Sequence, residues 1–431
     1  MRLAVWSPLP PSPSGIADYV AEQVPALQRH AEVRVVTEGA APPPEGWADL
    51  DIYQVGNSPA HAFVYRRCLE RPGVVVLHDW SLHHLVLRET VERGDEAGYV
   101  REMRRSHGAT GSFVARQVAR ALGGDLLPAL FPLNDRLLER SLAVVGLSSA
   151  LAARVRGRAP GLPVFHLPHH FCLPFQPAPS REEARRALGL PRDAQLVTAP
   201  GLATAAKGLD MAIEAVSRLA ARHPRLLLVV AGGVDPRLPL GEWAERAGLP
   251  PDRLLVTGRL ELPGFVRHLA AADILLGLRF PSHGEMSGAV VRGLGLGRCT
   301  IVTAGTPIAE EFPAGCVVPV DPGPFGLAEL HALLDRLLSD DALREAVGRQ
   351  AARQVADHHD LHSGAAALLG FLGEVRGRRD ALLGRLALPP TPGLASYLEE
   401  EVRWAARDLG LPALPLDLPA LLAPLQEAPV R

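Results

Sequence analysis

The chain has 431 residues, 45 of them Lys or Arg, and Lys207 in "GLATAAKGLD" (201–210) is its only lysine. An ammonium is a compact point charge, whereas a guanidinium is a planar fork. A single lysine among arginines therefore marks either a site that needs the compact cation or a chance survivor of biased codon use. Its position favours a site. Lys207 follows the apolar run "QLVTAPG" (195–201) and opens an amphipathic stretch reaching His223, so it is predicted at a helix start. Free amides and the helix dipole favour an anion there, and a pyrophosphate suits an added ammonium. A first-turn lysine without a ligand would sit slightly unfavourably in the dipole.

Two further stretches could hold a phosphate or a polyol. In "RFPSHGEMSGAVVRGLGLG" (279–297), Glu285 lies between a buried run and a helix, where its carboxylate could accept hydroxyl protons. Ser287 can cap that helix, and Met286, Ser287, Gly288 and Ala289 present first-turn amides. The plain alternative is an acidic residue complementing the dipole. In "SPLPPSPSGIADY" (7–19), Gly15 allows close backbone approach to a ligand, or is only a turn residue.

"LHDWSLHHLV" (77–86) ends a strand at His78 and Asp79. A cleft-facing His78 could donate a hydrogen bond or move a proton. His83 and His84 could join it around a metal, but no carboxylate cluster or ligand spacing supports that, so no metal is assigned. The pair His169–His170 reads as structural or cleft-lining. No G-x-S-x-G follows a strand in this half, which excludes a nucleophile elbow.

These residues need a frame, and the periodicity supplies one. Buried runs at 3–8, 33–38, 51–56, 73–79 and 142–148 alternate with helical patterns such as 16–29 and 60–71. After a proline-rich pause at 167–191, runs at 195–201, 225–233, 253–259, 273–280 and 299–305 repeat the alternation. Strands apolar on both faces, separated by helices, make parallel sheets covered by helices. The fold class is α/β, with two Rossmann-like doubly wound domains meeting near residue 175 and a ligand cleft between them. Helical patterns follow over 340–375, broken near "DHHDLHSG" (357–364), and again over 393–410 in the C-terminal extension.

Hydrophobic residues make up 47% and charged residues 21%, with a net charge of −2, so no strongly basic face points to nucleic acid. Arginine-rich runs such as "REMRRSH" (101–107) leave room for a peripheral contact with an anionic membrane face. Cys68, Cys172, Cys299 and Cys316 form no C-x-x-C pair and read as buried thiols. The opening "MRLAVWSPLPPSPSG" meets prolines too early for a signal peptide, and no apolar run is long enough to span a bilayer. The expected compartment is the cytoplasm.

The order of features resembles the retaining GT-B glycosyltransferases of family 4. The likeness runs through "SPLPPSPSGIADY", "VVVLHD", "SLAVVGLSS" (141–149), "FHLPHHF" (165–171), "GLATAAKG" (201–208), "LLVVAGG" (227–233), "LLVTGRL" (254–260) and "AADILLGLRFPSHGEMSG" (271–288). It implies an N-terminal acceptor-side domain (1–174), a donor domain (175–355), a helix returning to the first domain (356–380) and an extension of unassigned role (381–431). It implies a metal-independent hexosyltransferase without cofactor, using a UDP- or GDP-linked sugar and a glycan, lipid-linked or small-molecule acceptor. Lys207 would neutralise the donor diphosphate, Glu285 would hold donor-sugar hydroxyls, and amides from Met286 to Ala289 would hold phosphate. Gly15 would line the channel, and His78 would hydrogen-bond near the transferred sugar.

Two positions depart from the family. Its arginine five residues before the lysine is Leu202 here, leaving Arg279 or Arg259 to supply a guanidinium from a neighbouring strand end. Its second glutamate, eight residues after the first, falls at Gly293, preceded by Arg292 as a further donor-side candidate. These departures keep two other readings open, a nucleotide-sugar epimerase and a non-catalytic sugar-nucleotide-binding protein.

Overall fold

A computed structural model describes residues 1–386 apart from 13, 119 and 121. Residues Met1–Arg379 form one compact unit built on two six-stranded sheets. The first sheet comprises β1 (Arg2–Trp6), β2 (Glu32–Val36), β3 (Leu50–Val55), β4 (Val74–Leu77), β5 (Ala143–Gly146) and β6 (Val164–His166). Its order is β2-β1-β3-β4-β5-β6, with every pair parallel. The second comprises β7 (Gln195–Pro200), β8 (Leu226–Ala231), β9 (Leu254–Val256), β10 (Ile274–Gly277), β11 (Cys299–Thr303) and β12 (Val318–Val320). Its order is β12-β11-β10-β7-β8-β9, again all parallel.

The strand order explains where a ligand can enter. In the second sheet the chain runs from β7 outward to β9, then crosses back to place β10 on the other side of β7. The loops leaving β7 and β10 therefore diverge and open a crevice at their C-terminal ends. The first sheet reverses in the same way between β1 and β3. The central strands are buried from end to end, as "VVVL" of β4 and "ILLG" of β10 show. Their apolar faces are covered on both sides by helices, which is why the runs lack alternation.

The predicted strands appear, trimmed by one or a few residues at their ends. The edge strands β6 and β12 were not predicted. Each has three residues, too few for a periodic signal, and Pro319 sits within β12.

One boundary differs in a way that matters. The helix expected to start at Lys207 starts at Leu209 and ends at Leu219. Lys207 instead closes a short 3-10 turn, Ala205–Lys207. Gly208 adopts φ 57°, a left-handed backbone that stops this turn and lets the helix start afresh.

The two lobes are stitched together at several points. The helix Leu361–Gly377 packs on the helix Gly15–Gln28, and Phe371 stacks on Phe165 with ring centroids 5.1 Å apart. The break in the helical run falls at His359–Asp360, between helices Asp341–His358 and Leu361–Gly377. Glu311 accepts from Ser149 N at 2.8 Å and Ser149 Oγ at 2.6 Å, and pairs with His166 Nε2 at 2.8 Å. A second unit begins at Asp380, of which residues 380–386 are described. The helical stretch expected at 393–410 lies outside the described residues.

Candidate active site

Lys207, Arg279, Ser282, Glu285, Ser287 and Thr306 line one cavity at the β7–β10 crevice. Lys207 is half-buried, and its Nζ donates to Pro200 O at 3.1 Å. Burial, with the Arg279 charge nearby, lowers its pKa to about 7, and Glu285 opposes the shift. This state is far from the exposed first-turn lysine of the plain reading.

Arg279 leaves β10 with its backbone N–H donating to Thr303 Oγ1 at 2.8 Å. Its Nη1 lies 2.5 Å from Glu285 Oε1. The angle is not that of a hydrogen bond, so this buried oxygen retains an unused acceptor. The other oxygen, Oε2, accepts from Ser282 Oγ at 3.3 Å. Ser287 caps the helix Gly288–Gly295 by accepting from Val290 N at 3.4 Å, so Gly288 and Ala289 stand in its first turn. Met286 is buried beside them.

Near Glu285 on the other lobe stands the end of β4 in the first sheet. His78, at the end of β4, is buried, and its Nε2 donates to Gln54 Oε1 at 2.7 Å. Asp79 follows it, with Oδ2 accepting from Asn57 N at 2.7 Å. Burial and, after it, the Glu285 charge push the Asp79 pKa up to about 7. Two carboxyls from opposite lobes thus converge on the cleft. The sequence puts Asp79 at a strand end, but nothing local to it tells that Glu285 lies near. The lobes also touch directly here, where Ser81 N donates to His283 O at 2.9 Å. Gly284 has φ 79°, and a Cβ on it would collide with Trp80.

The remaining candidates lie elsewhere. Arg259 does not line the cavity, and its Nη2 donates to Pro11 O at 3.3 Å. Arg292 is directed away from it, into the seam between lobes. Its Nη2 donates to Glu22 Oε1 at 2.6 Å and its Nε to Cys172 O at 3.2 Å. His170 Nε2 donates to the other oxygen of Glu22 at 3.0 Å. Burial would raise the Glu22 pKa, but His170 and Arg292 outweigh it and hold the carboxylate below its ordinary range. Gly15 opens the helix Gly15–Gln28 with open space where a Cβ would stand.

Leu202 is 60% exposed at the mouth of the second sheet. At Gly293 a Cβ would meet the Cδ1 end of Leu275 of β10, so a larger residue there requires that leucine to move. His83 is buried, with Nδ1 donating to Phe131 O at 2.6 Å, while His84 faces His283 at 5.3 Å. Cys68, Cys299 and Cys316 are buried free thiols, and Cys172 is half-buried.

Two facing parallel doubly wound sheets with a crevice between them define the GT-B architecture, and solved structures agree. The chain matches the Anabaena protein Alr3699/HepE, solved with UDP-glucose, at TM-score 0.59 and 15% identity over 87% of this chain and 100% of that one. It matches the glycosyltransferase WaaG at TM-score 0.55 and 19% identity over 85% of this chain and 98% of that one. Residues 180–354, within the second lobe, match the family described as Glycosyl transferases group 1.

Among curated relatives, the lipopolysaccharide glucosyltransferase WaaG of Escherichia coli K12 is 30% identical over 194 residues, 43% of this chain and 48% of that protein. The alpha-D-kanosaminyltransferase of Streptomyces kanamyceticus is 28% identical over 199 residues, 45% of this chain and 49% of that protein. The chain thus spans about half the length of the curated relatives it matches.

Proposed function

We propose that this protein is a retaining glycosyltransferase that moves a sugar from a nucleoside-diphosphate sugar to a hydroxyl of a glycan, lipid-linked or small-molecule acceptor. The observation that carries the reading is the grouping of Lys207, Arg279 and Glu285 at the β7–β10 crevice, with Glu285 Oε1 buried and lacking a hydrogen bond. A buried acceptor in that state suits a sugar hydroxyl. Cations beside a helix N-terminus suit a diphosphate. Similarity to glycosyltransferases supports the same reading.

In this reading the anomeric carbon–phosphate oxygen bond breaks, and its electron pair goes to the diphosphate. The acceptor oxygen bonds to the anomeric carbon from the same face, and its proton leaves on the departing phosphate. Lys207 and the amides of Met286 to Ala289 take up the developing negative charge, as preorganised donors do in other transfers. Arg279 supplies the guanidinium that Leu202 does not, while orienting Glu285. His78 meets the sugar from the opposite lobe.

The test is a panel of UDP- and GDP-sugars, read by thermal shift and by release of the free nucleotide. Stabilisation with nucleotide release supports transfer or hydrolysis, and no response to any nucleotide overturns the proposal. A non-catalytic sugar-nucleotide binder is the second reading, favoured by Leu202 and by the packing of Leu275 against Gly293. Binding without transfer or hydrolysis of any donor would support it.

The acceptor side carries one more suggestion. Phe113, Leu122, Leu126 and Leu130 are 63%, 69%, 50% and 66% exposed, close in sequence to the arginine-rich run 101–107. Apolar side chains near basic ones suit peripheral contact with an anionic lipid surface. No helix among the described residues is long and apolar enough to cross a membrane.

A further inference from the structure

Gln54, at the end of β3, is 1% exposed and joins two buried histidines. Its backbone oxygen accepts from His61 Nδ1 at 2.8 Å, and its side-chain Oε1 accepts from His78 Nε2 at 2.7 Å. A carbonyl oxygen can only accept, so each ring carries its proton on the nitrogen facing Gln54. For His78 the separation is short for an N–H···N contact and ordinary for N–H···O, which fits the amide oxygen at that position.

The second proton of an imidazolium would find little support at His78. The groups around it are the His61 ring, the edge of Tyr19 at a centroid distance of 5.1 Å, and His169 and His170 from the seam between lobes. Asp79 is adjacent in sequence, but its Oδ2 is engaged by Asn57 N. Burial, His61 and His170 hold the His78 pKa well below the ordinary value. The ring is therefore neutral, with its proton committed to Gln54.

We infer that Gln54 is a positioning residue that locks His78 in the Nε2–H tautomer and leaves Nδ1 as a bare acceptor for a hydroxyl of the bound sugar. A bare lone pair accepts from a hydroxyl and repels a phosphate oxygen. Gln54 thereby makes His78 a reader of the sugar and not of the nucleotide. The tautomer follows from the hydrogen bonds alone, whereas its use in sugar recognition rests on the proposed glycosyltransferase reading.

Two measurements on the full chain test this. The first is the two-bond proton–nitrogen correlation spectrum of protein labelled with 15N-histidine, from about pH 6 to about pH 9. His78 is assigned by the signals lost in His78→Asn. The expected pattern is a protonated Nε2 and a bare Nδ1 throughout. An Nδ1–H tautomer, or an imidazolium near neutral pH, overturns the inference.

The second compares UDP and UDP-glucose affinities in Gln54→Met, of similar volume, and in Gln54→Glu, which keeps an acceptor. Gln54→Met should weaken UDP-glucose about tenfold and leave UDP unchanged, and Gln54→Glu, whose carboxylate favours an imidazolium and so protonates Nδ1, should weaken UDP-glucose as well. Equal loss of both ligands, or no loss of UDP-glucose, overturns the role in sugar recognition. If the wild type prefers GDP, the same comparison is made with GDP and its sugar, and if it binds neither nucleotide the glycosyltransferase reading fails, while the spectra still decide the tautomer.

Discussion

Arg279 and Glu285 form an ion pair 2.5 Å long, Nη1 to Oε1, that leaves the carboxylate oxygen without an aligned hydrogen bond. The guanidinium holds the carboxylate in place at the cavity wall. Glu285→Gln keeps the shape but weakens the acceptor. It should lower kcat/KM roughly 100-fold while sparing UDP affinity, within the range for removing a transition-state contact. Arg279→Leu should weaken both UDP and UDP-glucose, because it removes a cation as well as the partner of Glu285. Steady-state kinetics beside calorimetric UDP titration separate the two.

If Lys207 holds the donor diphosphate as proposed, donor binding is pH-dependent. With its pKa lowered to about 7 in the free protein, about half the ammonium is neutral near that pH. A diphosphate would raise the pKa, so binding takes up a proton above about pH 7 and affinity falls as pH climbs through the free value. Below that value the ammonium is already present and affinity levels off. Calorimetry in buffers of different ionisation enthalpy should detect the uptake, and Lys207→Arg should abolish it.

Asp79 acts on stability in the opposite range. Its folded pKa is raised to about 7, so between the unfolded value near 3.8 and about 7 the folded state holds more protons than the unfolded one. Its penalty is absent at low pH, grows through that window and is complete above it. Asp79→Asn should therefore raise Tm at pH 8 and change it little at pH 4. Equal shifts at both values would contradict the raised pKa.

The seam between lobes rests on a buried pair. The side chains of Arg292 and Glu22 are 8% and 11% exposed, and removing either leaves the other charge unpaired. Arg292→Leu or Glu22→Leu should each cost about 3–5 kcal/mol by denaturant unfolding. The double variant should cost less than the sum of the two. Because the folded pKa of Glu22 is lowered, this contribution is present above the unfolded value and lost as pH falls through the folded one.

The exposed apolar group at Phe113, Leu122, Leu126 and Leu130 gives a separate test. Co-sedimentation with vesicles containing anionic phospholipid should exceed that with neutral vesicles and fall with added salt. Phe113→Ser with Leu130→Ser should reduce it. Equal recovery with both vesicle types would argue against an electrostatic contribution.

The central strands were legible because strands buried on both faces write unbroken apolar runs, as at Val74–Leu77 and Ile274–Gly277. The crevice residues Lys207, Arg279 and Glu285 were legible because strand–loop–helix spacing puts them at strand ends. Other features depend on tertiary contact. "DIYQVG" reads as a strand and says nothing of Gln54 meeting two histidines. Arg292 reads as a donor-side cation until the other lobe supplies Glu22. The start at Leu209 was missed by two residues because a glycine's backbone sign has no periodic signature.

The central claim is that Lys207 grips the diphosphate of a nucleotide-linked donor. Calorimetric titration of UDP and GDP into wild type and Lys207→Ala tests it most directly. At about pH 6.5 the wild type should bind one of the two nucleotides, and Lys207→Ala should bind it roughly 10- to 100-fold more weakly, as expected for a lost charge-assisted contact. Equal affinity in the two proteins would contradict the claim.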